Sequence, residues 1–355
     1  MLLVISFVVF MLLGLPLFGV IGLASIISMI GMPFPMEFIP QNLYTGMDQF
    51  PLIATIGFVM AGFLMEPAGI TGEIIEVAKK AVGNIRGGLA MVTILACMIF
   101  AALSGSGPAT TAAIGSIMIP GMIAAGYRKD DAAAVSATGG TLGILIPPSN
   151  PMIIYGIIAN TSIAALFTAG FVPGFVLGLM MMLMAYFLAR RAGFTGTVDE
   201  DKGAHFWPMF RKNFFSLMAP VIILGSIYAG ICTPVEASVV AVFYALFVGT
   251  CITRELKIIQ LWDAIKLTNV SAGSIIIVLG VSTLFGRILT MQRIPHQLAN
   301  AMITLTDNPY VILVLIGLLL LFLGMFMETL ATIGIALLGI GKAQGFEEGW
   351  IAGAI

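Results

Sequence analysis

Charge is scarce in this chain. Only 9% of its 355 residues are Asp, Glu, Lys or Arg, against 59% apolar, where a soluble domain carries about a quarter charged residues. So few charges cannot build a water-facing surface, which excludes a soluble globular protein. A net charge of −1 gives no electrostatic footprint for nucleic acid. There are two histidines, His205 and His296, each in a polar connection with no second histidine or cysteine at ligand spacing. That removes a nitrogen- or sulfur-ligated metal centre. The three cysteines, Cys97, Cys232 and Cys251, lie in or beside apolar runs. They fit no zinc or redox spacing and read as small hydrophobes. No Gly-x-x-x-x-Gly-Lys loop occurs, so an ATP-driven mechanism would need another polypeptide.

What is present is a series of apolar stretches long enough to cross a hydrocarbon layer of roughly 30 Å. The opening Met-Leu-Leu-Val-Ile has no basic flank and no small-residue cleavage site, and is read as a retained span rather than a signal peptide. Residues 2–31 break near Gly14 and Pro16, 33–50 read as a loop without Lys or Arg, and 51–70 read as a span. Residues 72–86 mix Glu73, Glu76, Lys79, Lys80 and Arg86 with Ile74, Ile75, Val77 and Val82, which suits a helix lying along the membrane surface or a solvated connection. Residues 87–125 form two short apolar arms around Ser104–Pro108, read as a hairpin that enters and returns on one side. Residues 131–160 read as one helix broken at Pro147-Pro148, because consecutive prolines remove backbone donors and clash with the preceding turn. A span follows at 163–189, then a polar connection at 191–213. Residues 214–252 read as two spans interrupted at Cys232-Thr233-Pro234. The basic residues of 190–212 and Arg254, Lys257 and Lys266 then share one side, and Lys and Arg favour the cytoplasm.

Two tracts concentrate the polar chemistry: Ser-Gly-Ser-Gly-Pro-Ala-Thr-Thr at 104–111 and Thr-Gly-Gly-Thr-Leu-Gly-Ile-Leu-Ile-Pro-Pro-Ser-Asn-Pro at 138–151. Backbone that leaves the helix at membrane depth must line a protein-buried or watered cavity. Its freed carbonyls, with Ser104, Ser106, Thr110, Thr111, Thr138, Thr141 and Ser149, offer neutral oxygens, the ligands that a hard cation such as sodium prefers. Half-helix N-termini favour an anionic solute. Thr110, Thr141, Ser149 and Asn150 are the candidate contacts to that solute. The competing reading is that small residues permit close helix packing, and it is preferred for Ala112, Gly115 and Gly121. Glu66, Glu236 and Glu328 lie near helix breaks, where an ionisable group within a membrane and a helix cap explain a carboxylate equally well. An intramembrane serine hydrolase built on Ser104 or Ser106 lacks a base, since both histidines are far along the chain.

Shifting the chain against itself by 219 positions pairs Gly105 with Gly324, Ile114 with Ile333, Gly115 with Gly334 and Gly126 with Gly345. Internal symmetry with matching breaks points to an inverted-repeat transporter whose site lies at the repeat interface. The expected organisation is a first repeat at 1–190, a connecting loop at 191–213 and a second repeat at 214–355. The same shift puts the counterpart of Pro147-Pro148 at positions 366 and 367, past Ile355, so the second repeat is read as truncated. The fold class is an all-α polytopic membrane protein with re-entrant hairpins and discontinuous helices.

Several ordered motifs carry a resemblance. They are Gly83-Asn84-Ile85-Arg86-Gly87-Gly88-Leu89-Ala90, Phe100-Ala101-Ala102-Leu103-Ser104-Gly105-Ser106, Leu145-Ile146-Pro147-Pro148-Ser149-Asn150-Pro151 with Tyr155-Gly156, Ala169-Gly170-Phe171-Val172-Pro173-Gly174, and Gly230-Ile231-Cys232-Thr233-Pro234-Val235-Glu236-Ala237. Together they resemble the large membrane subunit of tripartite ATP-independent periplasmic (TRAP) transporters. The last differs from the family's Thr-Pro-Thr-Glu-Ala box at Val235. The resemblance implies a sodium-driven importer of an organic anion, working by an elevator motion in the bacterial inner membrane. Its implied partners are a small membrane subunit and a periplasmic substrate-binding protein. It places a first sodium site at Ser104, Ser106, Gly143, Ile146 and Pro147, and a second where Gly324 lies. Two alternatives are a transporter that needs no binding protein and a non-transporting scaffold subunit of a membrane complex.

Overall fold

The computed structural model describes residues 2–30, 35–85, 87–192 and 206–293, with seven helical positions between 311 and 324. Their regular structure is helical, with no strand among them. The helices are α1 (Leu2–Leu12), α2 (Leu17–Met29), α3 (Phe38–Met47), α4 (Leu52–Met65), α5 (Ile70–Val82), α6 (Gly88–Ser104), α7 (Gly107–Ala124), α8 (Lys129–Gly140), α9 (Asn150–Ala159), α10 (Ile163–Ala192), α11 (Phe206–Lys212), α12 (Phe214–Tyr228), α13 (Pro234–Phe247) and α14 (Ile258–Met291). Four helical stretches among the described residues are long and apolar enough to cross a membrane, or five with α3 and α4 counted as one broken span.

The helices fall into two compact units. One comprises Met1–Leu52, Ile154–Ser162 and Ala272–Ile355. Its core joins Leu3, Ile21, Ala24 and Met29 to Leu284, Phe285 and Ile288, with Phe38, Ile39 and Leu43 packed against it. The loop expected at 33–50 is therefore corrected: residues 38–47 are helical because Phe38, Ile39 and Leu43 give α3 an apolar face to bury.

The other unit comprises Ile53–Ile153 and Ile163–Ser271. At its centre is α6, with fourteen buried residues. Lipid is as apolar as leucine, so helices here gain from close approach rather than from leaving water. Gly88, Ala90, Ala96, Ala101 and Ala102 keep α6 slim enough for that approach. In α5, Ile70, Ile74, Ile75, Val77 and Ala78 are buried, while Glu73 accepts a hydrogen bond from Ser216 Oγ at 2.5 Å and Glu76 one from Asn213 Nδ2 at 3.2 Å. The polar connection expected through residue 213 thus ends in a helix, α11, followed at once by this polar latch. After it, α14 runs for 34 residues from Ile258 to Met291.

Candidate functional site

Local chemistry ends each helix where the site begins. Gly105 terminates α6 at φ +60° in the left-handed region, which glycine adopts without steric cost. Ser106 then caps α7, accepting the Ala109 N–H at 3.4 Å, with Pro108 in the first turn. The two arms are joined by Gly105 and Ser106 alone. Downstream, α8 runs into one 3-10 turn at Thr141–Ile144. The N–H groups of Leu145 and Ile146 both reach Leu142 O, at 3.1 and 2.9 Å. Pro147 and Pro148 stop the helix, and Ser149 Oγ closes the break by donating to Ile144 O at 2.6 Å. Among the described residues no backbone N–H donates to the carbonyls of Leu145, Ile146, Pro147 or Pro148.

Hairpin tip and break meet. The Asn150 N–H donates to Gly105 O at 3.1 Å. Ser104 Oγ and Thr110 Oγ1 lie 2.8 Å apart, and Thr110 Oγ1 donates to Ser106 O, also at 2.8 Å. A methyl group on Gly143 would come within 2.5 Å of Thr110 Oγ1 and 2.6 Å of Ser106 O. One on Gly105 would come within 2.6 Å of Pro148 O. Glycine at these positions is what lets the two backbones touch. The C-terminal end of α6 and the N-terminal ends of α7 and α9 converge here, so negative and positive helix poles share one place. Neither 87–125 nor 138–151 contains a charged side chain.

The candidate residues therefore separate clearly. Ser104, Ser106, Thr110, Gly143 and Asn150 are joined by contact, with Ile146, Pro147 and Ser149 in the break beside them. Ser104, Thr110, Ser149 and Asn150 are buried. Thr141 is exposed and donates back to Thr138 O at 2.7 Å. Gly324 is helical and exposed, with nothing within 4 Å of the place a Cβ would take. The rest of its expected site lies outside the described residues. Of the packing glycines, Gly115 faces Ser136 Cβ at 3.6 Å, whereas Gly121 faces open space and packs against nothing described.

The carboxylates separate too. Glu236 forms a capping box with Thr233: Thr233 Oγ1 accepts the Glu236 N–H at 3.3 Å and Glu236 Oε2 accepts the Thr233 N–H at 2.8 Å. Val235 takes no part in that box. Glu66 is exposed in the turn after α4, and Glu328, His205 and His296 lie outside the described residues.

Sequence reasoning missed the wall behind the break. On α10, Gly170, Gly174 and Gly178 recur every fourth residue. A methyl on Gly174 would come within 2.8 Å of Ile146 Cγ1, and one on Gly170 within 3.3 Å of Leu145 O. The small-xxx-small spacing was the available signal.

Apolar spanning helices and an all-helical fold define a multi-pass membrane protein. The particular family follows from comparison: the chain belongs to the tripartite ATP-independent periplasmic transporters, DctM component, whose family model matches residues 4–344. It is 39% identical over 328 residues to the isethionate TRAP transporter permease protein DctMQ of Oleidesulfovibrio alaskensis, covering 92% of this chain and 52% of that relative. It is 40% identical to the sialic acid TRAP transporter large permease protein SiaM of Vibrio cholerae, covering 83% of this chain and 69% of the relative. Against the C4-dicarboxylate TRAP transporter large permease protein DctM of Pseudomonas aeruginosa it is 36% identical, with 82% and 68% covered. The chain thus spans between about half and two thirds of the length of these relatives.

Proposed function

We propose that the chain is the large permease subunit of a sodium-coupled importer of an organic anion in the bacterial inner membrane. A periplasmic binding protein delivers the solute, and a small membrane subunit completes the complex. One observation carries the reading: the hairpin tip and the broken helix are tied together at Asn150 N–H and Gly105 O, 3.1 Å apart, enclosing neutral oxygens and no charge. Hydroxyls of Ser104 and Thr110 with carbonyls of Ser106, Ile146 and Pro147 suit a hard, weakly charged cation. Converging N-terminal poles of α7 and α9 suit an anion beside it, and binding of both at one place would couple their movement. The class of solute follows from the relatives, whose names specify isethionate, sialic acid and C4-dicarboxylates. An elevator motion of the unit that holds the site is the mechanism most consistent with a site formed wholly within one compact unit.

The test is uptake of radiolabelled carboxylates and sulfonates into proteoliposomes holding the permease with its small subunit, with binding protein supplied outside. Accumulation is expected under an inward sodium gradient and only with the binding protein. Equal uptake under a proton gradient alone would overturn sodium coupling. Uptake without binding protein would overturn the tripartite reading.

A further inference from the structure

We infer that the side-chain carboxamide oxygen of Asn150 is a direct ligand of the coupling cation, an inference that rests on the sodium reading of the hairpin tip. Asn150 opens α9 and is 4% exposed. Its backbone N–H is used by Gly105 O, but its Oδ1 is enclosed and has no hydrogen-bond partner among the described residues. An amide oxygen is a strong acceptor with two lone pairs, and burying one unpaired is unfavourable unless something else completes it. A serine or threonine hydroxyl can rotate to donate to a nearby carbonyl, as Thr110 does to Ser106 O and Ser149 does across the break to Ile144 O. The carboxamide oxygen cannot donate, so that relief is closed to it.

The surroundings select the completing partner. The contacts that join the tip to the break gather oxygens, namely Gly105 O, Pro148 O, Ser149 Oγ, Ser104 Oγ, Ser106 O and Thr110 Oγ1, and the N–H groups among those contacts, of Asn150, Ser106, Ala109 and Thr110, are each already bonded to an oxygen. The hydroxyl hydrogens among them are already engaged, Ser149 Oγ with Ile144 O and Thr110 Oγ1 with Ser106 O, while Ser104 Oγ reaches both Thr110 Oγ1 and Ser106 O; what such a set of oxygens suits is a hard cation. Sodium bound among them satisfies Asn150 and the freed carbonyls of the break together. It also joins α9 to the hairpin tip through a second bond beside the one from Asn150 N–H.

Binding of 22Na+ to the purified protein in detergent tests this, with potassium and choline as competitors. Asn150→Leu, which keeps the volume and removes the oxygen, should weaken sodium binding at least tenfold. Asn150→Asp, which keeps the oxygen, should bind as tightly as the parent or more so. Ser104→Ala serves as the control for the hairpin site and should also weaken binding. If Asn150→Leu binds within twofold of the parent while Ser104→Ala is weakened, the carboxamide is no ligand and an ordered water or packing satisfies it. Should Asn150→Leu fail to give a monodisperse protein, Asn150→Asp decides alone: a tenfold loss there overturns oxygen ligation and favours donation from the amide nitrogen to a solute. If neither Ser104 nor Asn150 affects saturable sodium binding, the hairpin-tip reading fails and this inference with it.

Discussion

Gly143 and Gly105 carry the closest backbone approaches of the site, and their substitution separates space from mere smallness. An alanine methyl at Gly143 would meet the backbone of Ser106, with its carbonyl oxygen 2.6 Å and carbonyl carbon 2.9 Å away. Backbone cannot swing aside as a flexible side chain does, and overpacking of this kind costs about 1–3 kcal/mol. At Gly105 the methyl faces Pro148 O, and the residue must also hold φ +60°, which adds about 1–2 kcal/mol for any L-residue. Gly143→Ala and Gly105→Ala are each expected to cut sodium-dependent uptake by at least tenfold while the protein still reaches the membrane. Gly121→Ala, placed in open space within α7, should leave uptake unchanged and raise the melting temperature slightly, since alanine is favoured over glycine inside a helix by about 1 kcal/mol. Uptake assays and thermal unfolding of the three variants check this. Equal behaviour of Gly143→Ala and Gly121→Ala would show that the tip and the break are not held in contact during transport.

At the scale of the element, the start of α13 shows how one carboxylate is explained without invoking transport. Thr233 and Glu236 satisfy each other's backbone donors reciprocally, and loss of such a cap costs about 0.5–2 kcal/mol. Thr233→Ala should therefore lower the melting temperature by a few degrees, Glu236→Gln, whose amide oxygen can still accept the Thr233 N–H, should leave it nearly unchanged, and both should leave uptake within twofold. A Glu236→Gln protein of unchanged stability that no longer transports would return Glu236 to an ion-carrying role. This capping motif was visible in the residues Thr233-Pro234-Val235-Glu236, but its meaning was not, because a cap and a buried acid look alike until the partner atoms are placed. The same division runs through the site. Helix stops at Gly105 and Pro147-Pro148 were legible because left-handed backbone and missing donors are properties of single residues. The bond from Asn150 N–H to Gly105 O, and the latch from Ser216 and Asn213 to Glu73 and Glu76, were not legible. They pair residues far apart in the chain, and no local preference encodes them. Residues 38–47 read as part of a loop without Lys or Arg, yet a burial partner for Phe38, Ile39 and Leu43 was enough to make them helical.

For the whole molecule, orientation follows from where the basic ends collect. Tyr244 Oη, near the end of α13, donates to Phe215 O, near the start of α12, at 2.6 Å. These two helices therefore run antiparallel, which brings Arg211 and Lys212 before α12 to the same end as Arg254 and Lys257 after α13. Arg211 lies over the Trp207 ring at 5.7 Å and Lys266 over the Trp262 ring at 5.9 Å, the pairing of aromatic ring and cation typical of a membrane–water boundary. At about 1.5 Å per residue, the 34 residues of α14 are longer than a hydrocarbon layer of roughly 30 Å requires. Its opening turns with Asp263 and Lys266 can thus lie at that boundary while the rest crosses. Lys and Arg are retained on the cytoplasmic side, so this end should face the cytoplasm and the α12–α13 turn should face the periplasm. Single cysteines in a background lacking Cys97, Cys232 and Cys251 test the assignment. Lys257→Cys should react with a membrane-impermeant maleimide in inside-out vesicles and not in intact spheroplasts. Ile231→Cys, at the other end of the same pair and 77% exposed, should show the reverse. Labelling of Lys257→Cys from the periplasm would invert the orientation.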